Sequence, residues 1–206
     1  MDTYTARRRA AALISVVAFG LGVSACGTDD PGSSGEHGGH GSAQSDGSDD
    51  ATEAADHNDA DVTFAQQMIP HHRQAVEMAG LAPSRAGSEV TDLAARISAA
   101  QDPEIATMTS WLEEWGEEVP AEDSGHADHG GTEGMMSAED MTALAGLSGD
   151  AFDEAFLTMM IEHHEGAITM AEGVLGDGKS ADVADLAQQI SDAQRAEVDE
   201  MQDMLD

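Results

Sequence analysis

A sixteen-residue segment occurs twice in this chain, 92 residues apart. Phe64-Ala-Gln-Gln-Met68-Ile69-Pro70-His71-His72-Arg73-Gln74-Ala75-Val-Glu-Met78-Ala79 returns as Phe156-Leu-Thr-Met-Met160-Ile161-Glu162-His163-His164-Glu165-Gly166-Ala167-Ile-Thr-Met170-Ala171, with eight of sixteen positions identical. A second pair follows. The segment Asp92–Leu112 aligns with Asp185–Leu205 at ten of twenty-one positions, among them Gln101/Gln194, Glu104/Glu197 and Met108/Met201. The chain therefore carries a two-segment unit twice. Repetition on this scale constrains the architecture before any local reading, because each copy must bury the same face.

Those faces have helical period. Phe64, Met68, His71, Ala75, Met78 and Ala82 recur at spacings of three and four, as do Phe156, Met160, His163, Ala167, Met170 and Val174. The second segments repeat the pattern through Leu93, Ile97, Ala100, Ile105, Met108 and Leu112, and through Leu186, Ile190, Ala193, Val198, Met201 and Leu205. Aromatic residues are 3% of the chain, too few for a β-sandwich core. Each unit reads as an αα-hairpin, about 59–116 and 150–206, with turns at Pro83 and at Gly176-Asp-Gly178. Two tandem hairpins with matching apolar stripes predict an all-α four-helix bundle over 59–206. Within the intervening 117–149, Ser137-Ala-Glu-Asp140 reads as a capping box for a short helix to about Leu147. Pro70 and Pro103 fall inside predicted helices and predict kinks in the first hairpin, with Asp102 available to cap a fresh start.

Outside this domain the composition changes. Arg7-Arg8-Arg9 precede an apolar run from Ala10 to about Val23, followed by Ser24-Ala25-Cys26. A basic stretch, a short apolar core and small residues describe a secretory signal over 1–25. Small residues directly before the sole cysteine resemble a lipobox, which makes Cys26 the lipidated first residue of an exported protein anchored to the outer face of the membrane. Residues 26–58 are Gly-, Ser- and Asp-rich and read as a flexible acidic tether, with His37, His40 and His57. A similar interruption at 121–136 carries His126, His129, Met135 and Met136. Signal removal takes three of 8 basic and one of 41 acidic residues, leaving a formal charge of −35. Phosphate backbones repel such a chain, which argues against nucleic-acid partners. No protein partner is named by the sequence.

The repeated residues carry metal chemistry. At about 100° per residue, with Phe64 at zero, Met68 falls near 40°, His71 near −20°, His72 near 80° and Met78 near −40°. All share one face, with His71 near its centre and His72 at its edge. His163, His164, Met160 and Met170 repeat the arrangement. Gln101, Glu104 and Met108 share a sector of roughly 60° on the partner helix, as do Gln194, Glu197 and Met201. Taken singly, a core histidine is usually hydrogen-bonded and a methionine stripe is usually packing. The duplicated His-His with flanking Met instead reads as a metal site inside the bundle. Imidazole with thioether suits Cu(I), and Ag(I) by the same logic, with another transition metal as the alternative. Glu104 and Glu197 either accept hydrogen bonds that orient histidine rings or bind metal directly. A di-iron carboxylate site is disfavoured, because Pro70 and Arg73 replace Glu162 and Glu165 in the first copy.

The Met-x-x-His-His-x-x-Ala-x-x-Met-Ala motif in both copies, Gln-x-x-Glu-(Ile/Val)-x-x-Met in both partner segments, and Phe152-Asp-Glu-Ala-Phe156-Leu resemble the domain-of-unknown-function family 305 over about 59–206. The resemblance implies a ferritin-like fold and an exported, often lipid-anchored protein. It also implies a link to copper, since some relatives are tied to copper binding and tolerance. Pro103 departs from the family pattern beside Glu104. The leading expectation is thus a metal-binding lipoprotein that buffers or hands on copper. The alternatives are a ferritin-like redox enzyme and a structural lipoprotein that docks a partner without metal. The chain shows no nucleophile with an adjacent base and no phosphate loop, which favours a non-enzymatic role.

Overall fold

A computed structural model describes residues 56–122 and 133–206. The signal segment, Cys26, His37, His40, His126 and His129 lie outside the described residues. Five α-helices follow one another among those described: α1 (Asp59–Leu81), α2 (Ser88–Trp115), α3 (Ala138–Ala145), α4 (Asp150–Asp177) and α5 (Ala181–Leu205). A 3₁₀ turn at Ala82–Ser84, around Pro83, links α1 to α2. No strand occurs among the described residues. No described helix is long and apolar enough to cross a membrane.

The helix ends follow from local chemistry. Asn58 opens α1 with a capping box: its side chain accepts from the Ala60 and Asp61 amides, while Asp61 accepts from the Asn58 amide at 2.8 Å. The same Asp61 carboxylate, fully buried, accepts from the Lys179 and Ser180 amides at 3.0 and 3.1 Å. One side chain thus fixes the start of α1 against the α4–α5 turn. Gly116 ends α2 in the left-handed conformation, at φ 75°, which a side chain would strain. Ser137 and Asp140 form the expected capping box at α3, which stops at Ala145.

Both prolines lie within continuous helices. α1 runs through Pro70 and α2 through Pro103, so the fresh start at Asp102 does not form. A mid-helix proline costs about 3 kcal/mol. Ile97 and Gln101 before Pro103, and Met108 and Leu112 after it, are all buried on one stripe, so breaking the helix would expose one half.

α1 packs on α2 and α4 packs on α5, and the two hairpins meet chiefly through α1 and α4, with α3 resting on α4. The apolar core divides into two clusters. One gathers Phe64, Met68 and Ile69 of α1 with Met108 and Leu112 of α2, Ala167 and Val174 of α4, and Val183, Ala187 and Ile190 of α5. The other gathers Ala75 and Met78 of α1, Leu93 and Ile97 of α2, Phe152, Phe156 and Met160 of α4, and Val198 and Met201 of α5. On all four long helices the chain passes from one cluster to the other through the repeated polar residues. The polar layer therefore sits mid-bundle.

Candidate metal centre

Four histidines and two glutamines make up most of this layer, and all six are buried. His71, His72, His163 and His164 have no exposed surface, and Gln101 and Gln194 are 2% and 3% exposed. The two histidines of each pair differ in role. The first of each pair meets its counterpart across the hairpin interface: the His71 and His163 rings lie 3.7 Å apart, tilted by 39°. The second binds within its own hairpin. His72 Nε2 lies 2.8 Å from Glu104 Oε2, and His164 Nε2 lies 2.8 Å from Glu197 Oε2. Helical phase puts His72 at the stripe's edge, yet it is fully covered, because it turns toward Glu104 on the neighbouring α2.

These contacts set the tautomers. A carboxylate can only accept, so Nε2 of His72 and of His164 carries a hydrogen, and in the neutral ring Nδ1 is the nitrogen left with a lone pair. His71 does the same, donating from Nε2 to the Glu133 carbonyl at 3.3 Å. The Nδ1 atoms of all four histidines, and Nε2 of His163, are buried without a hydrogen-bond partner. Both polar atoms of the Gln101 amide and Oε1 of Gln194 are likewise unpartnered. Native cores rarely leave so many polar atoms unpaired in one place. Burial, then the neighbouring His72 ring, pulls the His71 pKa from 6.5 to about 3. Burial, then His71 and His164, holds His163 well below 6.5. Both rings are neutral near pH 7, the protonation state a metal requires.

The methionines flank this layer on two sides. Met68 and Met108 fall in one cluster, with Met170 packed half-buried against its edge, where it lines a surface groove with Phe64 and Val174. Met78, Met160 and Met201 fall in the other cluster, joined by Met136 and Met141. Each helix's two motif methionines are thus separated, one on either side of its histidines. Among the described residues no three or more His, Cys, Asp or Glu side chains are arranged to hold a metal ion. The candidate donors are imidazole nitrogens of the layer and thioethers in the clusters on either side of it. That chemistry matches a soft monovalent cation better than zinc, which wants more histidine, carboxylate or thiolate.

Several residues at the site are invisible to a reading of the repeat alone. The Gln74 side chain donates to the Met136 carbonyl at 2.8 Å and accepts from its amide at 2.7 Å, both bonds buried. Arg73 donates to the carbonyls of Pro120 and Ala121. Gly166 lies under the backbone of Glu133 and Gly134. The signal that would have found them is where the copies differ: Arg73 stands opposite Glu165 and Gln74 opposite Gly166.

Known proteins share this fold. The family model for a domain of unknown function, DUF305, matches residues 61–205. A DUF305 protein from Streptomyces coelicolor, described as a candidate secreted protein, is similar at 31% identity, covering 71% of this chain and 91% of its own, with a TM-score of 0.63. A DUF305 fragment from Deinococcus radiodurans is similar at 31% identity, covering 72% and 96%, with a TM-score of 0.65. CopM in its Cu(II)-bound form is similar at 33% identity, covering 70% and 95%, with a TM-score of 0.62; CopM is also solved with Cu(I) and with silver. No curated protein matches the chain.

Proposed function

The chain belongs to the DUF305 family, and on that premise we propose that it binds copper as Cu(I) through the buried histidine layer and its flanking methionines, buffering or handing on the ion outside the cytoplasm. The carrying observation is the set of bare, buried Nδ1 atoms on His71, His72, His163 and His164. A bundle stabilised for its own sake would fill these positions with apolar side chains or pair them. Glu104 and Glu197 orient two rings from behind, as carboxylates do for metal-binding histidines. Met68 and Met160, three residues before their histidine pairs, and Met78, six after, supply buried thioethers, and Met170, also six after, stands half-buried at the outer edge. Gln101, Gln194, Met108 and Met201 complete the surroundings. Copper- and silver-bound CopM, at about a third identity, supports the choice of ion.

Export as a lipoprotein through Cys26 belongs to the same reading, supported by the signal pattern and by a secreted relative. The lipid anchor would hold the domain at the outer membrane face, with a tether of about thirty residues giving it reach.

A reading in which the His–Glu bonds only fix the bundle accounts for His72 and His164. It leaves the unpaired Nδ1 atoms and the Gln101 amide unexplained.

The test is titration of the mature chain with Cu(I), held reduced by a competing chelator, and with Ag(I). Stoichiometric binding is expected, with loss of binding in the four-histidine alanine variant while helicity persists. Should that variant unfold, His71→Leu with His163→Leu keeps the core apolar and asks the same question. Unchanged affinity in a folded variant overturns the assignment.

A further inference from the structure

The layer of histidines is covered by a short piece of chain that the repeat does not contain. Residues 133–136 cross the seam between α1 and α4 at the level of His71 and His163. On the α1 side, the Glu133 carbonyl accepts from His71 Nε2, and Gln74 clamps Met136 through both its amide groups. On the α4 side, the fit depends on two glycines. A Cβ on Gly166 would stand 2.1 Å from the Glu133 carbonyl oxygen. A Cβ on Gly134, itself at φ 79°, would stand 2.7 Å from the Glu162 carbonyl and 3.0 Å from that of His163. No side chain fits between strap and helix at either point. Met136 is 7% exposed, so the strap also contributes to the core.

Gln74 and Gly166 occupy the same position of the two repeat copies. One copy uses that position to grip the strap and the other to make room for it. A symmetric duplication needs neither. We propose that residues 133–136 are a strap that controls entry to the histidine layer, and that Gln74 and Gly166 are the positioning residues that keep it closed. The entering species is the soft cation of the preceding section, and that part rests on the copper reading. The access control itself does not.

Diethyl pyrocarbonate tests access without metal, since it acylates neutral imidazole nitrogens that it can reach. In the metal-free mature chain, His71 and His163 should react slowly, followed residue by residue through peptide masses, with His57 as internal reference. Gln74→Ala removes two buried hydrogen bonds, which should raise strap opening on the order of thirtyfold. Acylation of His71 and His163, and hydrogen exchange at the Met136 amide, should rise together by that factor. Gly166→Ala should do the same by a different route, by forcing the strap off. Gly173→Ala, on the same helix with nothing within 4 Å of the added carbon, should change neither. Helical circular dichroism identifies any variant that fails to fold, and the other then decides. Faster exchange at Met136 without faster acylation overturns the proposal, as does unchanged exchange in both variants. Stopped-flow uptake of Ag(I) gives the second arm, expected to quicken in step with acylation. If acylation quickens but silver never binds, the strap stands and the copper reading falls.

Discussion

Replacing His163 by leucine should stabilise the metal-free protein, and the gain should grow in acid. His163 is fully buried, and its ring nitrogens make no well-formed hydrogen bond, with only a weak contact to the His71 backbone beside them. Leaving such polar atoms unpaired costs about 1–3 kcal/mol. Leucine has similar bulk and no polar atom, but it must repack against the His71 ring, returning up to about 1.5 kcal/mol. The net gain at pH 8 is therefore about 1 kcal/mol, or roughly 2–4 °C in Tm for a domain of this size. Acid enlarges it. The folded-state pKa of His163 lies below its ordinary 6.5, as does that of His71, at about 3. Below pH 6.5 the unfolded chain holds protons that the fold excludes. Stability is thus complete above about 6.5 and is lost as pH falls, by about 1.4 kcal/mol per unit for each such group. At pH 5 the wild type is destabilised through both histidines, and the variant through only one. The variant's advantage should therefore be larger there than at pH 8. Urea midpoints of chelator-treated protein at pH 8 and pH 5 measure both quantities. A variant less stable than wild type at pH 8, or an advantage that does not change with pH, refutes the reasoning. Saturating Ag(I) should reverse the order, since a ligand at a hundred times its Kd adds about 2.7 kcal/mol to the protein that binds it.

Glu104→Ala leaves His72 Nε2 buried without an acceptor and should cost about 1–3 kcal/mol in urea unfolding, while Glu104→Gln, which keeps a carbonyl acceptor, should cost less than half as much. Glu197→Ala should behave alike through His164, and both alanine variants should weaken Cu(I) in chelator competition. Asp61→Ala strips an acceptor from the Asn58, Lys179 and Ser180 amides and should cost about 3 kcal/mol in thermal unfolding, with metal affinity unchanged. Gly173→Ala, at an exposed interior position of α4, should raise stability by roughly 1 kcal/mol.

Much of this molecule is present in the order of its residues. The doubled Phe-x-x-x-Met-x-x-His-His stripe determines helices, their hairpin pairing and a bundle interior that contains four imidazoles, because a helix carries residues three and four apart to one face. Capping at Asn58 and Ser137 and the left-handed stop at Gly116 are equally local. Membership of the polar layer is local too, since each histidine pair sits between apolar stretches of its own helix. Partnership within the layer is not. Sequence phase makes His71 and His72 neighbours on one helix. Packing sends His71 to His163 across the α1–α4 seam and His72 to Glu104 on α2, because a ring can satisfy only what the adjacent helix presents. The fate of the methionines was likewise decided by packing. Antiparallel packing decides which methionines meet: Met68 shares its side of the layer with Met108 and Met170, and Met78 shares the other with Met160 and Met201. Least legible was the strap. Its contacts join residues about sixty positions apart on α1 and about thirty on α4, with no periodicity to announce them. Only the mismatch of Gln74 with Gly166 in the repeat marks, in sequence, where the fold lays chain across its own centre.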